Sequence, residues 1–211
     1  AAISNCINPG DEVLALHTGK FGTRMGDIAT GYGAKVHLWK YEPGEAPDPD
    51  TISRWLADHD VTAAIFPYNE TSTGLQMDLE ALADVFSSAD VLTIVDAVSI
   101  LGGAPVDMDR LGLDAVAAGS QKALMLPPGL SFVALSERAQ QKARSTNSRG
   151  YYFDLPRAID KLNDDGQTPF TPAVSLVAGL REALRMIQEE GLTQVYDRHG
   201  QLGDACRAAM D

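Results

Sequence analysis

The chain has 211 residues, enough to bury a sizeable core as one domain or as one domain with an appendage. Its 45% hydrophobic and 22% charged content is ordinary for a soluble globular protein, and a formal net charge of -12 argues against a nucleic-acid backbone or an anionic membrane as partner. Only two cysteines occur, Cys6 and Cys206, near opposite ends; they make neither a disulfide framework nor a metal-ligand cluster, so a reducing cytoplasm is the default compartment.

No charged leader precedes an apolar core at the N-terminus, and no run approaches membrane-spanning length. The opening AAISNCINPGDEV reads as the last turns of a helix whose beginning is absent, stopped by Asn8-Pro9-Gly10-Asp11. Val13–Leu16 is a first strand leading to HTGKFGTR, where Gly19 and Gly22 bracket Phe21. That spacing suggests a loop holding an aromatic ring against something flat; a core phenylalanine is the plainer reading. Gly31–Gly33 breaks the chain before a second strand, Lys35–Trp39. Thr51–His59 has Ile52, Trp55 and Leu56 at helical spacing.

Val61–Phe66 is nearly all apolar, as a strand buried on both faces of a parallel sheet would be. It runs into Pro67 and the polar loop YNETSTG, and such loops at the carboxyl ends of strands are where open α/β sheets bind ligands. Asp78–Ser88 puts Leu79, Leu82 and Phe86 on one helical face. Val91–Val95 and Ala115–Ala118 are the fourth and fifth strands; Leu130–Leu135 is the sixth, a candidate antiparallel strand. Ser136 is the N-cap of a helix over Glu137–Arg144, whose basic residues collect toward its C-terminal end. From Ser145 to Gly166 the text is polar and aromatic and reads as a surface excursion with one short helix, around Leu155–Leu162. After the proline-punctuated turn Thr168–Pro172, a long helix spans about Ala173–Glu190, with Leu176, Leu180, Leu184 and Ile187 on one face and Gly191 as its stop. A further helix covers Thr193–Ala209. The alternation predicts a three-layer α/β domain with a largely parallel sheet.

No G-x-G-x-x-G follows the first strand, no His-x-x-His or Cys-x-x-Cys spacing suggests a metal, and no G-x-S-x-G elbow is present. The four histidines are scattered, and each reads as structural. Asp96 ends one apolar run; Gly119, Ser120 and Gln121 lead from another to Lys122, which is followed by apolar residues and a Pro-Pro-Gly turn. A lysine set among such neighbours is expected to be buried, which lowers its pKa and frees its lone pair for Schiff-base chemistry. An acid at a neighbouring strand end is the partner the pyridinium nitrogen of pyridoxal phosphate (PLP) needs. Taken alone, a lysine is more often a surface residue and such an aspartate a turn residue.

The segments VDAVSILGG and GSQKALMLPPG, with NETSTG at Asn69–Gly74 and TPFTPAVS at Thr168–Ser175, resemble the PLP-site segments of class V aminotransferases of fold type I, in the expected order. Within that class they look most like the alanine–glyoxylate and serine–pyruvate aminotransferase group. The likeness covers essentially the whole chain and implies a fragment: a seven-stranded-type large domain, incomplete at both ends, over residues 1–192, and the start of a linker helix toward a small domain over 193–211. It implies a homodimeric enzyme that moves an amino group from a small donor, such as alanine, serine or aspartate, to glyoxylate or pyruvate. Cysteine desulfuration or a non-catalytic fragment of the fold are the alternatives.

Position by position, the resemblance implies that Lys122 bonds the cofactor and that Asp96 pairs with the pyridine nitrogen. Phe21 and Val98 would pack on opposite ring faces, and Thr71 would donate to the phenolic oxygen. Gln121 and Thr171 would reach the phosphate, Thr171 from a neighbouring subunit. Ser120 is either a direct contact or a turn hydroxyl. Thr168 stands where some relatives carry a phosphate-contacting tyrosine. The family's N-terminal phosphate-binding turn and its C-terminal arginine for the substrate carboxylate have no counterpart here.

Overall fold

The computed structural model describes residues 1–147 and 150–210. Two positions of the expected surface excursion, 148 and 149, and residue 211 of the expected linker helix lie outside the described residues.

In chain order the elements are α1 (Ala2–Cys6), β1 (Glu12–His17), α2 (Lys20–Gly31), β2 (Lys35–Lys40), α3 (Pro49–Leu56), β3 (Ala63–Pro67), β4 (Asn69–Glu70), β5 (Leu75–Gln76), α4 (Leu79–Ser88), β6 (Leu92–Asp96), β7 (Ala115–Gly119), β8 (Ser131–Leu135), α5 (Glu137–Ser145), α6 (Leu155–Asp165), α7 (Val174–Glu190) and α8 (Leu192–Ala208). Among the described residues, six strands form one sheet in the order β2-β1-β3-β6-β7-β8, and β4 and β5 form a separate hairpin. The pairs β1–β2, β1–β3, β3–β6 and β6–β7 are all parallel. The β7–β8 pair is antiparallel, because Ser136 N–H bonds the Asp114 carbonyl at one end and Ser120 N–H bonds the Leu130 carbonyl at the other. The sheet thus has six strands, where the family resemblance implies seven for a complete domain.

The chain packs as two compact units: unit 1 comprises Ala1–Ala97, Asp107–Ala117 and Val133–Phe170, and unit 2 comprises Val98–Val106, Ala118–Phe132 and the chain from Thr171 onward. In unit 1 the period-two alternation of β1 splits its side chains between two faces. Val13 and Ala15 join Ile3 and Cys6 of α1, Met25 and Ala29 of α2 and Ala139 of α5 in one core. On the other face Phe66 of β3 meets Phe86 of α4, with ring centroids 5.7 Å apart. Burying large apolar side chains on both faces explains why β3 reads as a continuous apolar run. The excursion after α5 is tied down by buried Asn5, which donates to the Phe153 carbonyl and accepts from the Leu155 amide.

In unit 2, Leu124 and Leu126 pack with Ala183 and Ile187 of α7 and Val195 of α8. The buried stripe of α7 runs through Leu180, Ala183 and Ile187; the expected member Leu184 is 43% exposed. At 3.6 residues per turn, position 184 lies a further 100° around the helix from 183, and the small Ala183 makes the closer packing. Among the described residues no helix is long and apolar enough to cross a membrane.

Candidate active site

The carboxyl ends of β1, β3 and β6 lie side by side in unit 1. Pro67 pairs with Asp96, the Tyr68 amide donates to the Asp96 carbonyl at 2.9 Å, and the Ala97 amide donates to the Ala117 carbonyl at 2.8 Å. Asp96 is therefore held at the end of a central strand, half-buried. Beyond β1 the chain turns at Gly19 directly into α2, so Phe21 sits in the first helical turn and not in a loop. The glycines around it concealed the helix start: Gly19 offers no capping side chain.

The cap comes instead from 50 residues away. The Glu70 carboxylate, fully buried, accepts from the amides of Phe21 (3.0 Å) and Gly22 (2.9 Å) through Oε2. Through Oε1 it accepts from the Ser72 amide (3.0 Å) and hydroxyl (2.6 Å). The Ser72 hydroxyl oxygen in turn accepts from the Lys20 amide at 2.9 Å. Burial pushes the Glu70 carboxyl up, but the Ser72 hydroxyl and the amides of Gly22, Ser72 and Phe21 outweigh it and hold the group below its ordinary value. Gly19 has to be glycine here, since a Cβ would lie 2.4 Å from the Ser72 Oγ and 2.7 Å from the Glu70 Cδ. Exposed Thr71 sits between these two acceptor residues, on the turn that joins β4 to β5.

Two atoms at the same edge stand out. Nδ1 of His17 and Oγ1 of Thr18 are buried with no hydrogen-bond partner. The other three histidines are engaged: His37 with Glu12, His59 with the Trp55 carbonyl and His199 with the Val195 carbonyl. Native proteins satisfy nearly all such buried polar atoms, so an orphaned pair marks a place where water or a ligand completes the site. Sequence reasoning passed over Glu70 and Thr18 and read His17 as structural. NETSTG held the only signal for Glu70: an acid at the end of a buried strand, facing a helix without a cap.

Unit 2 gathers a second group. Gly119 ends β7, and a Cβ there would lie 2.9 Å from Gln121 Oε1 and 3.4 Å from Val98 Cγ1, so bare backbone lies between two of the predicted residues. Ser120 is buried; its hydroxyl donates to the Pro127 carbonyl (2.8 Å) and accepts from the Leu130 amide (3.2 Å), which pins the loop that carries Lys122. That is the work of a turn hydroxyl. A Cβ on Gly102 or Gly103 would lie 3.1 Å from Leu124 or 3.3 Å from Ala123, so the VDAVSILGG and GSQKALMLPPG segments pack together. Lys122 itself is exposed, contrary to the burial expected from its neighbours, because Leu124 and Leu126 turn their apolar surface toward α7 and α8. Thr171 is exposed; in unit 1, Thr168 donates to the Phe170 carbonyl at 2.7 Å. Phe170 stacks on Tyr152 at 4.8 Å, and Arg157 lies over the Tyr151 ring at 4.6 Å.

Within unit 1 the residues present suit a flat heteroaromatic cofactor: an acid at a strand end, an aromatic at a helix start and an exposed hydroxyl at Thr71; unit 2 by itself carries an exposed lysine on a pinned loop. Among the described residues no group of three or more histidine, cysteine or acidic side chains could hold a metal ion.

A family model described as aminotransferase class-V matches residues 1–211. The chain is 39% identical over 214 residues to a protein named soluble hydrogenase 42 kDa subunit from Anabaena cylindrica, covering 100% of this chain and 56% of that one. It is 37% identical over 220 residues to a serine–glyoxylate aminotransferase of Methylorubrum extorquens, covering 100% of this chain and 54% of the relative. The solved alanine–glyoxylate aminotransferase from Nostoc sp. superposes with a TM-score of 0.91 at 32% identity, over 97% of this chain and 55% of that one. The chain spans about half the length of the relatives it matches.

Proposed function

We propose, from the premise that this chain belongs to the class-V aminotransferase family, that it carries the cofactor-binding half of a PLP-dependent aminotransferase acting between a small amino acid and glyoxylate or pyruvate. PLP, when bound, supplies an electron sink for the bond broken at the α-carbon of the amino acid. Asp96 would hold a proton on the pyridine nitrogen, Phe21 and Val98 would confine the ring, and Thr71 would donate to its phenolic oxygen. Gln121 of this chain and Thr171 of a partner subunit would bind the phosphate, with Ser120 setting the loop. Nζ of Lys122 would anchor the cofactor, then take the proton from the donor's α-carbon and redeliver it. An exposed lysine on a pinned loop suits that role, because it can swing without refolding the loop.

The observation that carries the reading is the carboxyl edge of unit 1. An acid ending β6, an aromatic in the first turn of α2 and a hydroxyl-bearing turn are linked there through the segment 67–72. The donors alanine, serine and aspartate are favoured because these are the donors named in the glyoxylate aminotransferases it matches. Cysteine desulfuration needs a mobile catalytic cysteine, and neither Cys6, a core residue whose thiol burial pushes up to about 12, nor exposed Cys206 stands in the cofactor segments. A homodimer fits the exposed aromatics Tyr151, Tyr152 and Phe153, which precede α6. Two free cysteines fit a cytoplasmic location. Residues 1–192 would then belong to the large domain, and the helix from 193 onward would lead to the small one.

The test uses the full-length protein loaded with PLP and a panel of amino donors. Alanine, serine or aspartate should shift the cofactor's absorbance, and glyoxylate or pyruvate should reverse it. A shift with cysteine alone, or with bulky aromatic donors alone, would overturn the substrate assignment.

A further inference from the structure

We propose that Glu70 is a positioning residue that locks the first turn of α2 to the Thr71 turn, so that Phe21 and Thr71 face the cofactor as one rigid body. The proposal rests on the cofactor reading above, and it concerns how the grip is built.

The first amides of any helix lack intrahelical acceptors and normally turn to a local cap or to water. In α2 the first three are all taken by one distant turn: Lys20 N–H by the Ser72 hydroxyl, and Phe21 and Gly22 N–H by Glu70. The first intrahelical bond then runs from Thr23 N–H to the Gly19 carbonyl at 3.1 Å. The other carboxylate oxygen holds Ser72, and the Glu70 carbonyl accepts from Thr73 (3.2 Å) and Gly74 (2.9 Å), closing the turn that presents Thr71. The Thr73 hydroxyl closes the ring of contacts by donating to the Thr18 carbonyl at 3.2 Å. Phe21 and Thr71, 50 positions apart in sequence, are thus separated by a single buried carboxylate. A carboxylate has lone pairs for all four donors; an amide must turn its NH2 group toward two of them, whichever oxygen it replaces. Glutamine therefore keeps the shape and breaks the lock. The positive end of the helix dipole is also spent on Glu70, so α2 offers no free N-terminus to a phosphate.

The test compares wild type with Glu70→Gln in the full-length protein, with two readouts. Without PLP, amide hydrogen exchange at Phe21 and Gly22 should quicken about 10-fold or more in Glu70→Gln, the effect of leaving buried donors without an acceptor. With PLP, the cofactor's dissociation constant should rise by about 10-fold, and the visible circular dichroism per bound cofactor should fall as the ring loses its fixed orientation. If exchange quickens while affinity and dichroism stay at wild-type values, Glu70 is only a helix cap and the positioning role is wrong. Unchanged exchange would remove the lock itself. A wild-type protein that binds no PLP would overturn the cofactor reading, and the positioning role with it; exchange would still report the lock separately. Should Glu70→Gln not fold, Ser72→Ala provides the milder form of the same test. It removes one of the four donors and the Lys20 acceptor, with an expected loss of affinity of about 3-fold. Wild-type affinity and dichroism in that variant would contradict the proposal.

Discussion

Glu70 at the carboxyl end of the sheet and Asp114 at its amino end are both buried carboxylates of unit 1, yet they are satisfied in opposite ways. Asp114 accepts from the Thr93 amide (2.9 Å), the Ser136 hydroxyl (2.8 Å) and Arg138 through Nε (3.0 Å) and Nη2 (2.5 Å). Arg138 also reaches Asp90 and the Val91 carbonyl, and Asp114 beside it holds the guanidinium above its ordinary value. One ion pair thereby ties β6, β7, β8 and α5 together where no ligand is expected. Glu70 is held by neutral amides and a hydroxyl. Its charge is screened by dipoles and not cancelled, and its partners belong to segments that carry predicted cofactor residues. The amino end is built to stay shut, and the carboxyl end is built to present groups.

The comparison can be broken most sharply at Asp96. Asp96→Asn in the full-length protein should lower turnover by roughly 10²–10⁴, the range for one well-placed acid–base or electrostatic group, while the urea midpoint barely moves. Near-normal turnover would make Asp96 a strand-end residue like any other. Asp114→Ala should do the reverse. It leaves Arg138, the Thr93 amide and the Ser136 hydroxyl without their acceptor, at a cost of about 2–3 kcal/mol; a fully enclosed pair would cost more, but Arg138 stays part-exposed. Urea unfolding measures the loss, and the visible dichroism of bound cofactor should be unchanged in the folded fraction. An altered cofactor signal would mean the two ends are coupled.

The smallest effect is a pH dependence. The folded-state pKa of Glu70 is depressed, so the stability it contributes is complete above its unfolded value of about 4.3 and is lost as pH falls through the lower folded value. Glu70→Gln removes that component. The stability difference between wild type and variant should therefore be constant near neutrality and shrink below about pH 4. A difference that stayed constant down to pH 3 would show that the charge is not what the cap requires.

Much of this was legible in the sequence because strands and helices of unit 1 follow burial periodicity. The apolar run before Pro67, the short apolar strand Val13–Leu16 and the Ser136 cap each match the observed element. Three things were not legible, for physical reasons. The α2 start has a glycine where a capping side chain would normally announce a helix, and its cap is supplied by tertiary contact. The β4–β5 hairpin is only two residues per strand, too short for a period to show. The exposure of Lys122 depended on which way Leu124 and Leu126 turned, and α7 and α8, some 50 residues later, decide that. The site residues themselves carried no periodic signal. Family resemblance picked them out, and the structure distributes them as Phe21, Thr71 and Asp96 in unit 1 and Val98, Ser120, Gln121, Lys122 and Thr171 in unit 2.

The central proposal is that Lys122 anchors the cofactor. Borohydride reduction of the PLP-loaded full-length protein, followed by peptide mapping, tests it directly. The label should fall on Lys122, and Lys122→Ala should abolish both label and turnover while the cofactor still binds non-covalently. Label on Lys20, Lys142 or any other lysine, or a protein that shows the cofactor's absorbance yet takes no label at Lys122, would contradict the account.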